Sequence, residues 1–447
     1  MARQGERLAI AALALGVSLA GAFGSLGTAA SAAKQDAIAN SAIFFLGDGM
    51  GQTFRDAGRL YTVGAYGQLV MDSLPIVGLV GTNAAMTEDG FITDSAAAAT
   101  AYFTGVKTIN GAVGVDPDGQ TVANIAELAK AAGKSVGIVT TSQVSDASGA
   151  AVAAHVASRR DQSEIARQMI EDVQVDVILG GGESRWLPEG SAGAYPDNPP
   201  EDPEEASVGD KGDLIARAQE LGYDYVSDAE GLNAATGPKV LGLFANEEMF
   251  QQFPEGQGDV YEPVVSLEEM TAKAIEILSQ NPNGFFLFVE EEATDELGAA
   301  NNATLALKAV QELDKAVARG VAYAEQSGDT LIVVTADHDV AGLAVEAVDD
   351  AEEPDESGAG GTGTAMATPA AGEETATISG EDGPFPVADS DQMFIIDWTT
   401  PHHVASRVPL TAMGPGAEAL AGAYENTEVF DALVTLLGLD AMATPTP

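Results

Sequence analysis

The sequence predicts an α/β fold: a doubly wound, mainly parallel central sheet with helices on both faces. Two observations carry that expectation. Short continuous apolar runs, each bounded by Gly, Asp or Ser, recur along the chain, and stretches with apolar residues at helical spacing lie between them. A third observation bounds the answer. Of 447 residues, 45% are hydrophobic and only 20% charged, which is enough apolar material for one large core.

The strand-like runs, in chain order, are 42–46 (AIFFL), 135–140 (SVGIVT), 175–179 (VDVIL), 285–289 (FFLFV) and 330–335 (TLIVVT). Helical periodicity covers 122–132, 161–172, 267–279 and 303–326, and residues 407–413 read as a further extended segment. Two stretches break the alternation. Residues 190–209 are rich in Pro, Gly and acids, and 348–383 form an acidic low-complexity run; both are expected to be flexible surface insertions in a single domain spanning 34–440. Residues 441–447 read as a disordered tail.

Residues 1–33 have the pattern of an export signal. Arg3 and Arg7 precede an uncharged run that ends in the small residues Ala30, Ser31, Ala32 and Ala33. The run is also long enough for an uncleaved anchor, but its Gly and Ser content and Ala-rich end favour cleavage. The expectation is an exported protein, secreted or periplasmic, with no stable membrane association once the signal is removed. Cysteine is absent, which excludes disulfides, thiolate metal sites and Cys nucleophiles. A formal net charge of −48 argues against nucleic-acid binding, which requires Lys/Arg patches. The surplus acid reads as a solvated surface.

The chemistry collects where strands end. Asp48 follows the first apolar run and Asp146-Ala147-Ser148 the second; Glu290 to Glu292 and then Asp295 follow the fourth; Asp337-His338-Asp339 follow the fifth. Open α/β sheets build their sites beyond the carboxyl ends of strands. A lone Asp there is usually a cap or turn residue, but four carboxylates on one rim repel each other, and cations between them are the economical explanation. Ser95, in Thr93-Asp94-Ser95, opens an Ala-rich helix, where it is either an ordinary capping neighbour or, with a coordinated metal, a nucleophile. His402 and His403 precede the last extended segment; one of them, with His338, would be the imidazoles near the rim.

Five motifs in order, LGDGMG (46–51), TDSAAAAT (93–100), AHVASR (154–159), TADHD (335–339) and His403 before GPGA (414–417), resemble the alkaline phosphatases. ILGGG (178–182) and LGLFA (241–245) add to the likeness, which runs from about residue 42 to about residue 437. The resemblance implies hydrolysis of small phosphate monoesters through a phosphoserine, with Zn2+ and Mg2+ as cofactors. Ser95 matches the nucleophile and Arg159 the guanidinium that clamps phosphoryl oxygens. Asp48, Ser95, Asp337 and His338 match one zinc site; Asp48, Ser148 and Glu290, with Asp146 in the surrounding shell, match magnesium; Asp295 and His403 match the other zinc. A homodimer is expected by analogy alone.

One departure touches the chemistry. Where the resemblance places a His four residues after Asp295, this chain has Ala299, which leaves that site short of a ligand; Val340 replaces a more peripheral His. Glu292, Glu296, His402, water or a harder metal are the available substitutes. Two other readings therefore stay open at this level: a non-catalytic or impaired relative that binds phosphate or metal, and a related phosphodiester or sulfate ester hydrolase.

Overall fold

The computed structural model describes residues 38–88, 90–195, 207–250, 259–348 and 381–440. The expected signal segment 1–33, the tail 441–447 and most of both insertions lie outside the described residues. At the centre is a 10-stranded sheet. Its spatial order is Gly422–Glu425, Ile76–Gly81, Val408–Met413, Thr330–Thr335, Ser41–Gly47, Phe285–Glu291, Ser135–Gln143, Val177–Gly181, Val240–Leu243 and Asp224–Val226. Only Val408–Met413 runs antiparallel to its two neighbours. The five apolar runs read from the sequence are thus five adjacent strands at the middle, as expected of strands buried on both faces.

Ser41–Gly47 shows how the layers assemble. Phe44 and Phe45, each 0% exposed, point to opposite faces because strand side chains alternate. Phe44 packs edge-on against Tyr102 and Phe103 of helix Ser95–Thr104, with ring centroids 5.5 and 5.2 Å away. Phe45 lies against Gly320 of helix Ala303–Ser327, where a Cβ would come within 2.7 Å of its ring. The two helices therefore cover opposite faces. Truncating either phenylalanine to Ala removes about 3–5 kcal/mol, the usual cost of emptying a packed aromatic site.

Register sets the rim. Leu46 is level with Glu290 on one side and Thr335 on the other, and Thr140 is level with Glu290. Asp48, Glu290, Asp337 and the start of helix Ala147–Ala153, with Asp146 as its N-cap, consequently emerge from four neighbouring strands at one edge. A separate 2-stranded ladder pairs His403 with Val340 and Val404 with Asp339, bringing the distant His403 to the same edge.

The two insertions are anchored at their ends. Glu189 N and Gly190 N donate to Gly209 O and Ser207 O at 3.2 and 3.0 Å, closing the base of the first. The second was expected to lack structure to residue 383, yet Glu381–Pro386 is a strand, paired antiparallel with Met393–Asp397 in a 3-stranded sheet. Its sequence, EDGPFP, carries no strand signal; the partner strand imposes the conformation. No described helix is long and apolar enough to cross a membrane.

Candidate active site

Ser95 is placed by its helix. Asp94 is the N-cap, its Oδ1 accepting from Ala97 N at 3.0 Å, and Ser95 is the first helical residue, 5% exposed. The Ala-rich run that follows lets the helix approach the equally small helix Ala147–Ala153 and the strands beneath. Tyr102 OH donates to Ala336 O at 2.9 Å, tying the same helix to the strand end that bears Asp337 and His338. Ser95 Oγ comes to rest 3.3 Å from His338 Nε2.

Two groups of possible metal ligands meet at this point: Asp48, Asp337 and His338, and Asp295, His338 and His403, the ligand atoms of each lying within 4.8 Å of one another. His338 belongs to both. Its Nε2 is 3.4 Å from Asp48 Oδ1 and 3.2 Å from Asp337 Oδ2, while its Nδ1 is 3.8 Å from Asp295 Oδ1. His403 Nδ1 donates to Thr93 O at 2.9 Å, which aims Nε2 at Asp295 Oδ2, 3.6 Å away. The two imidazoles stack with centroids 3.6 Å apart. Asp337 is held by Gly49 N and His338 N, which donate to its Oδ1 at 3.0 and 2.9 Å. Gly49 has φ +62, and a Cβ there would stand 2.5 Å from Asp295 Oδ1, so only glycine allows the chain to turn this close to the site.

The electrostatics describe a site built for cations. Burial first, then the neighbouring carboxylates Asp337, Asp295, Glu290 and Glu292, hold Asp48 well above the ordinary carboxyl range. Burial raises Asp337 as well, and pushes Glu290 up to about 8 even though Thr140 Oγ1 donates to it at 2.7 Å. The Ser148 hydroxyl faces the same carboxyl without closing a well-formed hydrogen bond. Burial lowers His338 to about 3; at His403 the same burial is outweighed by Asp295, which raises it to about 9. Asp48 Oδ1, Asp295 Oδ1, Asp337 Oδ2 and His338 Nδ1 are buried with no hydrogen-bond partner among the described residues. Four such atoms in one place are the mark of a coordination site rather than of a satisfied polar core. Mixed carboxylate and imidazole donors suit zinc, and the all-oxygen set of Asp48, Ser148 and Glu290 suits magnesium.

Arg159 is held beside the cap of the Ser95 helix. Its Nη2 donates to Asp146 Oδ2 at 2.8 Å and its Nη1 is 3.5 Å from Asp94 Oδ2. Burial opposes its charge, but Asp146 and Asp94 outweigh that and keep the guanidinium firmly protonated. Asp146, read from the sequence with the magnesium shell, makes its direct bond to Arg159. Asp94, the carboxylate that caps the Ser95 helix and also faces Arg159, was not singled out by sequence reasoning, although its place in TDS marked it as a cap. Ala299 ends helix Ala293–Ala299, one turn after Asp295, and brings no ligand atom. His402 is exposed, and neither it nor Glu292 nor Glu296 joins either three-residue group.

The chain is similar over nearly its whole length to known phosphatases. The alkaline phosphatase family model matches residues 39–439. An alkaline phosphatase of Escherichia coli is 32% identical over 90% of this chain and 87% of its own. A streptomycin-6-phosphate phosphatase of Streptomyces griseus is 31% identical over 90% and 91%. The solved cold-active alkaline phosphatase of a Shewanella species superposes with TM-score 0.67 and 28% identity, covering 89% of this chain and 99% of that one. With its central sheet, its strand-end carboxylates and this similarity over nearly its whole length, the chain belongs to the alkaline phosphatase family.

Proposed function

We propose that the protein is an exported, metal-dependent phosphomonoesterase that hydrolyses small phosphate monoesters through a phosphoserine at Ser95. The observation that carries the proposal is the position of Ser95 Oγ, 3.3 Å from His338 Nε2 in the Asp48/Asp337/His338 group, with Arg159 held by Asp146 and by Asp94, the cap of the Ser95 helix. Asp48, Asp337 and His338 would hold one zinc ion, Asp295 and His403 the other, and Asp48, Ser148 and Glu290 magnesium. Bound there, such ions supply charge that lowers the pKa of a coordinated hydroxyl or water and neutralises the oxygens at phosphorus.

The chain's own residues do the rest. Ser95 Oγ gives up its proton and forms the new P–O bond as the ester P–O bond breaks, and the electron pair leaves on the alcohol oxygen, which takes up a proton. A water oxygen then displaces Oγ and releases phosphate. Arg159 keeps N–H groups beyond those used by Asp94 and Asp146, and its planar fork matches two phosphoryl oxygens. The Asp94 cap and the start of helix Ser95–Thr104 place backbone N–H groups where the phosphoryl group arrives.

The test is hydrolysis of an aryl phosphate at alkaline pH by residues 34–447 with zinc and magnesium, beside Ser95→Ala. Turnover that disappears in the variant, with a phosphoserine trapped on Ser95 by acid quench, supports the proposal; turnover that survives in Ser95→Ala overturns it. Export is tested by sequencing the N-terminus of protein recovered outside the cytoplasm. One observation favours a second reading, an impaired binder: among the described residues the Asp295/His403 group gains no third side chain of its own and borrows His338. Stoichiometric phosphate binding without turnover would identify that case.

A further inference from the structure

His155 belongs to neither metal group, yet it is more tightly bonded than a spare surface histidine needs to be. It lies four residues before Arg159, its side chain 14% exposed. Nδ1 is 2.8 Å from Gly114 O, and because a carbonyl only accepts, Nδ1 carries the hydrogen. Nε2 faces two groups with opposite demands: Asn124 Nδ2, a donor, at 3.2 Å and Glu127 Oε1, an acceptor, at 3.1 Å. The Asn124 amide is fixed, since its Oδ1 already accepts from Glu127 N at 3.0 Å in the capping box of helix Ile125–Ala131. The neutral ring therefore accepts from Asn124, and the protonated ring donates to Glu127. Gly114 is held in both states; Glu127 is held only by the charged one.

The loop that Gly114 belongs to carries the phosphate end of the site. Val113 and Val156 exchange hydrogen bonds of 3.0 and 2.9 Å. Arg159 N donates to Gly111 O at 2.7 Å, and Gly111 N donates to Asp94 Oδ2 at 2.8 Å, the same oxygen that faces Arg159 Nη1. Gly114 N donates to Thr100 Oγ1, on the Ser95 helix, at 3.0 Å. Residues 111–114 thus join the backbone of Arg159 to the helix that presents Ser95.

We propose that His155 is a positioning residue for Arg159: protonated, it ties the 111–114 loop to Glu127 on helix Ile125–Ala131 by a charged hydrogen bond, and on losing its proton it exchanges that bond for the weaker neutral one from Asn124 at the N-cap of the same helix and loosens the guanidinium. The inference rests on the reading of Arg159 as the phosphate clamp. The charged groups facing the ring are Glu127 and, farther off, Asp172; Gln168 holds the His155 backbone at N and O at 2.8 and 3.1 Å. Burial works against the charged ring, but Glu127 and the Gly114 carbonyl outweigh it and raise the imidazole above its ordinary value. A raised value means that the lock is complete at low pH and is lost as pH rises through it.

The experiment compares the full chain, loaded with zinc and magnesium, with His155→Ala, His155→Asn and Glu127→Gln. It measures KM, kcat and the inhibition constant of inorganic phosphate for an aryl phosphate, and, independently of turnover, hydrogen exchange at the Arg159 amide. On the low-pH side of the transition, His155→Ala is expected to raise KM and the phosphate inhibition constant about tenfold with little change in kcat, and to speed Arg159 exchange. His155→Asn, which can still donate to Gly114 O, recovers part of that loss but shows no pH step. Glu127→Gln moves the step to lower pH and leaves its plateaus in place. Identical phosphate profiles in the parent and His155→Ala, or a step that stays put in Glu127→Gln, overturn the proposal. If the parent has no turnover, the proposed activity fails instead, and Arg159 exchange decides alone: unchanged in His155→Ala, it overturns the lock. If His155→Ala does not fold, the Glu127→Gln step decides.

Discussion

Stripping divalent cations will make the folded protein lose stability as pH rises from about 6.5 to about 9, a window set mainly by two groups, with smaller contributions from Glu291 and Glu296, each raised to about 7 by burial. Glu290 is raised to about 8 and His403 from 6.5 to about 9. For a group whose folded value lies above its unfolded one, the folded state holds a proton that the unfolded chain gives up. Its contribution is complete below the unfolded value and is lost as pH climbs through the folded one. Counting only the part above about 6.5, Glu290 loses about 2 kcal/mol and His403 about 3 kcal/mol, at about 1.4 kcal/mol per pH unit. Together, about 5 kcal/mol is comparable to the whole stability of many domains. His338, lowered to about 3 by burial, works in the opposite direction only below about 6.5, so it does not blur the window. At about 2.1 cal/mol/K of unfolding entropy per residue, a domain of about 400 residues shifts by about 1.2 °C per kcal/mol, so Tm in chelator should fall by about 6 °C across that range. Saturating zinc and magnesium should flatten the slope, because bound ions take the place of the protons. Glu290→Gln should remove nearly half of the chelated slope and stabilise the stripped protein at high pH. The assay is thermal unfolding at stepped pH with and without chelator. Equal slopes in the two conditions would falsify the reasoning, for the buried carboxylates would then not be cation sites.

Gly49→Ala forces an L-residue into φ +62 and sets a Cβ 2.5 Å from Asp295 Oδ1; the strain costs about 1–2 kcal/mol, and zinc stoichiometry by elemental analysis should fall, whereas two tightly held zinc ions in the variant would refute the steric argument. Arg159→Lys keeps the charge but gives up the fork, so phosphate affinity should drop about tenfold with thermal stability nearly unchanged; parental affinity measured by calorimetry would show that only charge matters there. Ala299→His adds a ligand one helical turn from Asp295. Zinc affinity of the weaker site should rise at least about tenfold, and alkyl phosphates should gain more turnover than aryl phosphates, because a poor leaving oxygen depends more on the cation beside it. Equal gains for both substrate classes would contradict that assignment.

The sheet was legible because its central strands are apolar on both faces. AIFFL, SVGIVT, FFLFV and TLIVVT need no partner to be recognised, and the polar residue after each is where a parallel sheet places its chemistry. Most of what escaped has its cause elsewhere in the chain. The Asp339–Val340 and His403–Val404 strands are two residues each and exist only by pairing, so nothing local signals them, although they decide that His403 rather than His402 reaches the rim. Ile76–Gly81 (IVGLVG) is as continuous an apolar run as its central counterparts and could have been read as a strand, although near the sheet edge its Val77 and Leu79 are 64% and 43% exposed. Asp146 was placed with the metals because it follows a strand; that it bonds Arg159 depends on a side chain 13 residues away folding back over it.

The two halves of the site differ in how they are held. Glu290 stands on a strand and Asp48 and Asp337 within two residues of the ends of its neighbours, whose register is fixed by ladder hydrogen bonds, so the half that meets Ser95 is held by the sheet. Asp295 stands on a helix of 7 residues, and His403 hangs on a 2-stranded ladder and a single bond to Thr93 O. That half has softer supports and, with Ala299, fewer ligands. It is also the half the proposed chemistry assigns to the departing alcohol, the part that varies from ester to ester while the phosphoryl group stays the same. A rigid frame around the phosphoryl group and a compliant one around the leaving group suit an enzyme that accepts many esters. The order of ion loss follows from the same difference: on dilution into chelator, the ion at Asp295 and His403 should leave first, with the Asp48/Asp337/His338 ion retained until the strand ends themselves loosen.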